Sequence, residues 1–270
     1  MKTLRDKVVV ITGAAGGIGS ELARAFARAG SRLALVDVDE TGLRRVASGL
    51  GVLCSTHVAD VSDREAMQAL PNAVLKRHGA VHVLVNNAGV SLSESVEHTD
   101  FDDLDWVMGI NFHGVVHGCV FFLPHLKAAT GGAHIVNISS LFGLIGVPSQ
   151  SIYCASKFAV AGYTESLRAE LHESNIGVTC VHPGLIQTDI LKHGRFKDGV
   201  DGRDYQATLD TFQRAAETTP AEVATQVVKA VKNNDSRVLV GKEAHALAAL
   251  QRLMPSQYLA WMRRYTQRLG

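Results

Sequence analysis

The chain has 270 residues, 46% hydrophobic and 20% charged, a balance that excludes a disordered tail or a small cross-linked module and fits one folded domain. Its 27 Lys and Arg against 26 Asp and Glu leave a net charge of +1, without the basic excess of a nucleic-acid-binding surface. Cys54, Cys119, Cys154 and Cys180 lie far apart with no C-x-x-C pair, which points away from a zinc ribbon or disulfide framework and toward the reducing cytoplasm.

Lys7 to Thr12 carries the β-branched run Val8-Val9-Val10-Ile11 and ends in glycine, the pattern of a strand buried on both faces. Asp6 and Lys7 break any export-signal core here, so no export is expected. Ser20 to Ala29 predicts a helix, with Leu22, Ala25, Phe26 and Ala29 at steps of three and four and Gly30 at its stop. A second strand, Arg32 to Asp37, follows, then a helix at Glu40 to Leu50, a strand at Val52 to Val58, a helix at Asp63 to His78 and a strand at Val81 to Val85.

Phe101 to Leu126 predicts one long helix. Its most apolar stretch, Cys119 to Leu123, stops at Pro124, short of the about 20 residues a membrane-spanning helix needs, so no integral membrane segment is expected. A strand at His134 to Ile138, a helix at Tyr153 to Glu173, a strand at Val178 to Val181, a helix at Thr219 to Lys232 and a strand at Arg237 to Val240 complete the alternation.

Repeated strand-helix-strand units predict the α/β class, a doubly wound Rossmann-like parallel sheet of about seven strands with helices on both faces. No repeat or linker divides the chain, so one domain is expected over residues 1–243. The polar stretch Thr188 to Asp204 predicts a mobile substrate lid, placed near residues 188–216. Residues 244–270 predict a helical extension with Leu259, Trp261, Met262, Tyr265 and Leu269 among Arg263, Arg264 and Arg268. Such a stripe is expected to pack on the same domain or a neighbouring subunit, in preference to an anionic membrane.

Between the first strand and helix stands Thr12-Gly13-Ala14-Ala15-Gly16-Gly17-Ile18-Gly19. Gly13, Gly17 and Gly19 lack a Cβ, so the turn can tighten and bring backbone N–H groups against a pyrophosphate at the helix start. The spacing is G-x-x-x-G-x-G, and a packing turn without ligand is its alternative. Asp37 ends the second strand, 18 residues after Gly19, where a carboxylate can accept from ribose hydroxyls and repel a 2′-phosphate. Neither Gly16 nor Val38 supplies an arginine for that phosphate, so NAD is expected over NADP.

Tyr153 and Lys157 stand at i and i+4 of a helix and share a face. A phenol serves as an acid or base near neutrality only when its pKa falls by about 3 pH units, worth about 4 kcal/mol, and a lysine charge has the right sign. The spacing alone also arises by chance. Upstream, Ile135-Val136-Asn137-Ile138-Ser139-Ser140 ends a strand in hydroxyls, while Asn86-Asn87-Ala88-Gly89 and His182-Pro183-Gly184 end two others. Several polar groups thereby reach the carboxyl rim, where ligands of open parallel sheets bind. His113 and His117 lack a third ligand, so no metal is expected, and Cys154 is expected to pack.

With these residues together, the chain resembles the short-chain dehydrogenase/reductase family in its common single-domain form. The motifs are Thr12 to Gly19, Asp60, Asn86 to Gly89, Asn111, Ser139-Ser140, Tyr153-x-x-x-Lys157 and Pro183-Gly184 followed by Thr188. The resemblance implies a tetrad of Asn111, Ser140, Tyr153 and Lys157. Ser140, thirteen residues before Tyr153, matches the family position better than Ser139 and would bind the substrate oxygen. Tyr153 would exchange the proton, Lys157 would lower its pKa and hold the nicotinamide ribose, and Asn111 would hold a water leading from Lys157 to solvent.

The same resemblance implies that Asp60 and Val61 meet adenine, that Asn87 and Gly89 line the cofactor cleft, and that Ile186 and Thr188 meet the nicotinamide carboxamide. The full set expected around the dinucleotide is Gly13, Ala15, Gly16, Gly17, Ile18, Gly19, Asp37, Val38, Asp60, Val61, Asn87, Ala88, Gly89, Tyr153, Lys157, Pro183, Gly184, Ile186 and Thr188. Leu141, Phe142, Leu144, Ile145, Leu185, Ile190 and Leu191 suggest an apolar pocket shared with the core. The expected activity is NAD-dependent interconversion of a hydrophobic secondary alcohol and its ketone by a cytoplasmic homodimer or homotetramer built on the two long helices. NADPH-dependent reduction of acyl-thioester ketones and a non-catalytic nucleotide sensor are the alternatives.

Overall fold

The computed structural model describes residues 1–197 and 205–260. Five consecutive buried residues form β1 (Val8–Thr12), which lies at the centre of the sheet. The chain then alternates through α1 (Gly17–Arg28), β2 (Arg32–Asp37), α2 (Glu40–Ser48), β3 (Cys54–Val58), α3 (Arg64–His78), β4 (Val83–Asn86), β5 (Leu92–Ser93), α4 (Phe101–Met108) and α5 (Gly114–Lys127). It continues through β6 (Ala133–Ile138), α6 (Ser151–Glu170), β7 (Ile176–Pro183), β8 (Arg195–Phe196), α7 (Tyr205–Ala215), α8 (Pro220–Asn233), β9 (Arg237–Val240) and α9 (Lys242–Leu253).

Among the described residues, seven strands form one parallel sheet in the order β3-β2-β1-β4-β6-β7-β9. Leu22, Phe26, Leu43, Val223 and Val227 from α1, α2 and α8 bury one face. Met67, Val74, Val115, Phe122, Val160 and Leu167 from α3, α5 and α6 bury the other. Covering both faces explains the unbroken apolar runs of the central strands. The order reverses between β1 and β4, so the carboxyl ends of these strands flank a crevice suited to a ligand.

The elements differ from the sequence expectations in places. The first helix begins at Gly17, because the glycine turn itself supplies its first turn. Pro124 lies inside α5 without ending it; the N–H it lacks would have met the carbonyl of Val120, whose side chain is 52% exposed, on a face water can reach. The helical run Phe101–Lys127 is therefore long and apolar enough, by length and composition, to cross a membrane. Its Val107, Val115, Cys119, Phe122 and Leu126 are nevertheless buried in this fold. Within that run, Gly109–His113 forms a π-helical turn.

The expected lid contains structure. β8 pairs with β5 in a small parallel ribbon, and Lys197 Nζ lies 3.3 Å from carboxylate oxygens of Glu94, Asp100 and Asp103. Arg195 also pairs with Asp103 and lies 4.1 Å over the Trp106 ring. Residues 198–204 of the expected lid lie outside the described residues, as do Trp261, Met262, Arg263, Arg264, Tyr265, Arg268 and Leu269 of the tail. The described part of the tail packs Ala244, with Leu247 and Tyr258, against Leu141 and Ile145.

Candidate active site

The glycine turn is riveted to the end of β4. Thr12 Oγ1 accepts from the N–H groups of Asn87 and Ala88 at 3.0 and 3.1 Å, and Asn87 Nδ2 donates to the carbonyls of Thr12 and Gly13 at 2.9 and 3.0 Å. A Cβ on Gly19 would stand 1.9 Å from the Gly13 carbonyl oxygen, whereas one on Gly16 would meet nothing within 4 Å. The turn is closed on its protein side and open on the other. Gly16 caps α1 with no side-chain hydrogen bond, which leaves the first helical N–H groups free for an anion. Gly17, at φ +51°, faces Thr188.

Asp37 Oδ2 accepts from the Ala15 N–H at 2.9 Å and Oδ1 from the Asp39 N–H at 3.1 Å, so its carboxylate stands beside the turn, next to the exposed Val38. Asp60 Oδ1 accepts from Ser62 N and Oγ at 2.8 and 2.7 Å. Val61 is buried against Gly114. Ile18 and Ala88 pack their side chains against the two core clusters, which leaves main chain and the glycines to meet a ligand. Sequence reasoning missed Arg45: its Nη2 donates to the Ala15 carbonyl at 3.2 Å. No motif marks it, because only the packing of α2 brings it to the turn.

The hydroxyls at the end of β6 divide cleanly. Ser139 Oγ is buried and donates to the Lys157 carbonyl at 2.8 Å, while Ser140 Oγ accepts from the Phe142 N–H at 3.1 Å. Tyr153 and Lys157 are both buried in α6. Lys157 Nζ donates to the Ile138 carbonyl at 3.2 Å and lies 5.8 Å from the Tyr153 ring centroid. Burial pushes the phenol up to about 12, with the Ser140 side chain acting the other way, and burial pulls Lys157 down to about 8. In the chain alone the phenol therefore moves opposite to the sequence expectation, because desolvation of the phenolate outweighs an ammonium held by a carbonyl.

Asn111 lies in the π-helical turn, fully buried. Its Oδ1 accepts from Val90 N at 2.8 Å, and its Nδ2 donates to the Val90 carbonyl at 3.0 Å and to Ser156 Oγ at 3.1 Å. This amide braces the loop after β4, a task absent from the sequence expectation. A Cβ on Gly89 would lie 3.2 Å from both Asn111 Oδ1 and Lys157 Nζ. The two groups thus converge on a space that only glycine leaves open.

The sequence profile of the short chain dehydrogenase family matches residues 7–198. The chain belongs to this family. SadH of Mycobacterium tuberculosis, named as an oxidoreductase, is 43% identical over 263 residues, covering 96% of this chain and 94% of SadH. The C alpha-dehydrogenase of a Sphingobium strain is 30% identical over 274 residues, 95% of this chain and 90% of the relative. A short chain dehydrogenase/reductase from Burkholderia phymatum, solved in complex with NAD, superposes with a TM-score of 0.84 at 32% identity, covering 93% of this chain and 95% of the other.

This short-chain dehydrogenase is an oxidoreductase. Ile186 bridges to Thr218 and buries its side chain in the core, which leaves only its main chain exposed to a ligand. Leu141 and Ile145 are core residues, whereas Phe142 meets Tyr153 edge-on, with ring centroids 6.1 Å apart.

Proposed function

We propose that this dehydrogenase oxidises a hydrophobic secondary alcohol to its ketone with NAD, and reduces the ketone in reverse. The observation that carries this reading is the buried Tyr153 phenol on the same face of α6 as Lys157, whose Nζ lies 5.8 Å from the ring centroid, at the end of β6 where Ser140 stands. The chain fits a dinucleotide: the open side of the glycine turn and the free N–H groups of α1 suit its pyrophosphate, Asp37 its adenosine ribose, and Lys157 its nicotinamide ribose. Bound NAD would supply the two-electron hydride acceptor and a positively charged ring.

The protein's share is placement and a proton. Ser140 Oγ donates to the substrate oxygen and holds the carbinol at the phenol. Tyr153 Oη takes the hydroxyl proton as the carbinol C–H bond breaks and the C=O bond forms. At about 12 the phenol is protonated near neutral pH in the chain alone, and each added positive charge in the cleft favours the phenolate. Phe142, edge-on to Tyr153, helps exclude water. As part of the same reading the enzyme works in the cytoplasm, with four free thiols, and assembles through α5 and α6, where Val120 and Phe158 are exposed.

The test is absorbance of NADH with a panel of secondary alcohols. Tyr153→Phe is expected to lower kcat by about 10²- to 10⁴-fold while NADH binding persists. NADH binding without turnover by the parent enzyme on any alcohol or ketone would move the reading to a nucleotide sensor. A second reading, reduction with NADPH, rests on Arg45 beside Ala15; parallel assays with both cofactors separate the two.

A further inference from the structure

The C-terminal segment reaches both walls of the cleft. Glu243, in the first turn of α9, curls its carboxylate into the gap between Gly184 and Gly241, and Oε1 accepts from the Leu185 N–H at 2.8 Å. A Cβ on Gly184 would stand 2.1 Å from that oxygen, and one on Gly241 2.5 Å away. Gly241 also holds a φ of +105°, which a side chain would strain. The two glycines are thus a cradle for a side chain that belongs to neither the glycine turn nor the tetrad. The segment it holds, Gly184 to Thr188, is the stretch between β7 and the Gly17 contact of Thr188.

Farther on, Tyr258 Oη accepts from the Gly146 N–H at 3.1 Å. Ala244, Leu247 and Tyr258 pack with Leu141 and Ile145. This is the loop that follows Ser140 and carries Phe142 to the Tyr153 ring. One stretch of chain, remote in sequence from every motif, therefore bonds the main chain of the loop after β6 and of the loop after β7. Neither bond belongs to the sheet ladder; each adds a tie from the strap to loops that Ile186 pairing with Thr218 and His182 bonding to the Ser140 carbonyl also hold.

We infer that Gly241 to Tyr258 is a strap that sets the spacing of the cleft, with Glu243 and Tyr258 as positioning residues for the cofactor-side and substrate-side loops. The assignment of sides rests on the proposed placement of the nicotinamide. Glu243 acts on cofactor affinity, and Tyr258 acts on which alcohols fit. A bulky substrate pressing on the loop at Gly146 meets a wall tied to the C-terminal segment.

Hydrogen exchange on the full-length, cofactor-free protein reads the two ties without turnover. Glu243→Ala is expected to speed exchange of the Leu185 amide by about 5- to 30-fold and leave Gly146 protected; Tyr258→Phe is expected to do the reverse. Glu243→Gln keeps an acceptor oxygen and is expected to restore protection. In steady-state kinetics Glu243→Ala raises KM for NAD, whereas Tyr258→Phe leaves that KM unchanged and alters the ranking of small against bulky alcohols. Equal acceleration of both loops by both variants, or of neither, overturns the strap. So does a loss of rate by both variants that is uniform across substrates and cofactor concentrations. If the parent enzyme oxidised no alcohol while the exchange pattern held, the proposed function would fail and the mechanical ties would stand.

Discussion

His182 donates its Nδ1 proton to the main-chain carbonyl of Ser140 across 3.0 Å, so a residue near the end of β7 holds the backbone of the proposed substrate-binding serine. The ring is buried, and burial holds its pKa down at about 4 although the bond to Ser140 pulls upward. His182→Phe keeps a ring of similar size but leaves the carbonyl without this donor. The variant is expected to lose about 1–3 kcal/mol in urea unfolding and to turn over more slowly. An unchanged urea midpoint would show that the bond contributes nothing to the loop.

Acid should destabilise the fold through its buried imidazoles. Burial lowers His78, His82 and His182 to about 4 and His134 to about 3, from 6.5. His82 Nδ1 accepts from Val8 N at 3.1 Å, a bond that protonation there breaks. The unfolded chain takes up these protons first, so their contribution is complete above about pH 6.5 and falls continuously toward pH 4. Each imidazole adds at most about 1.4 kcal/mol per pH unit in that window. Urea midpoints at pH 7, 6 and 5 check the direction, and a midpoint that held constant to pH 5 would contradict it.

Cofactor choice is expected to turn on Asp37 and Arg45 together. Asp37→Ser keeps an acceptor for the Ala15 N–H, removes the charge, and should raise KM for NAD by about 10- to 100-fold while improving NADPH. With the carboxylate gone, Arg45, whose Nη2 donates to the Ala15 carbonyl beside it, offers a cation to a 2′-phosphate. Adding Arg45→Ala to that variant should abolish the NADPH gain. A gain that survived the second substitution would remove Arg45 from the account.

Gly89 has no positive φ, so Gly89→Ala tests space alone. Its methyl would press on Lys157 Nζ and Asn111 Oδ1, both 3.2 Å away. Displacing the ammonium should lower kcat by about 10- to 100-fold, with a far-ultraviolet circular dichroism spectrum like the parent's. Full activity in this variant would mean that the position of Lys157 is not critical.

Local chemistry made much of this protein legible. The β-branched run of β1, the helical step of α1 and the alternation that follows specify their elements through nearest-neighbour geometry, and the parallel sheet follows from the need to bury both faces. The glycine turn, Asp37 and the Tyr153–Lys157 spacing were visible because each depends on a few adjacent residues. Ser140 over Ser139 was legible only through resemblance; the tie of the Ser139 hydroxyl to the Lys157 carbonyl in α6 appears only in the fold. The height of the Tyr153 pKa, the brace that Asn111 forms on Val90, the arrival of Arg45 at Ala15 and the reach of Glu243 to Leu185 were not legible. Each depends on desolvation or contact between segments tens of residues apart, and no local pattern encodes where packing will bring them together.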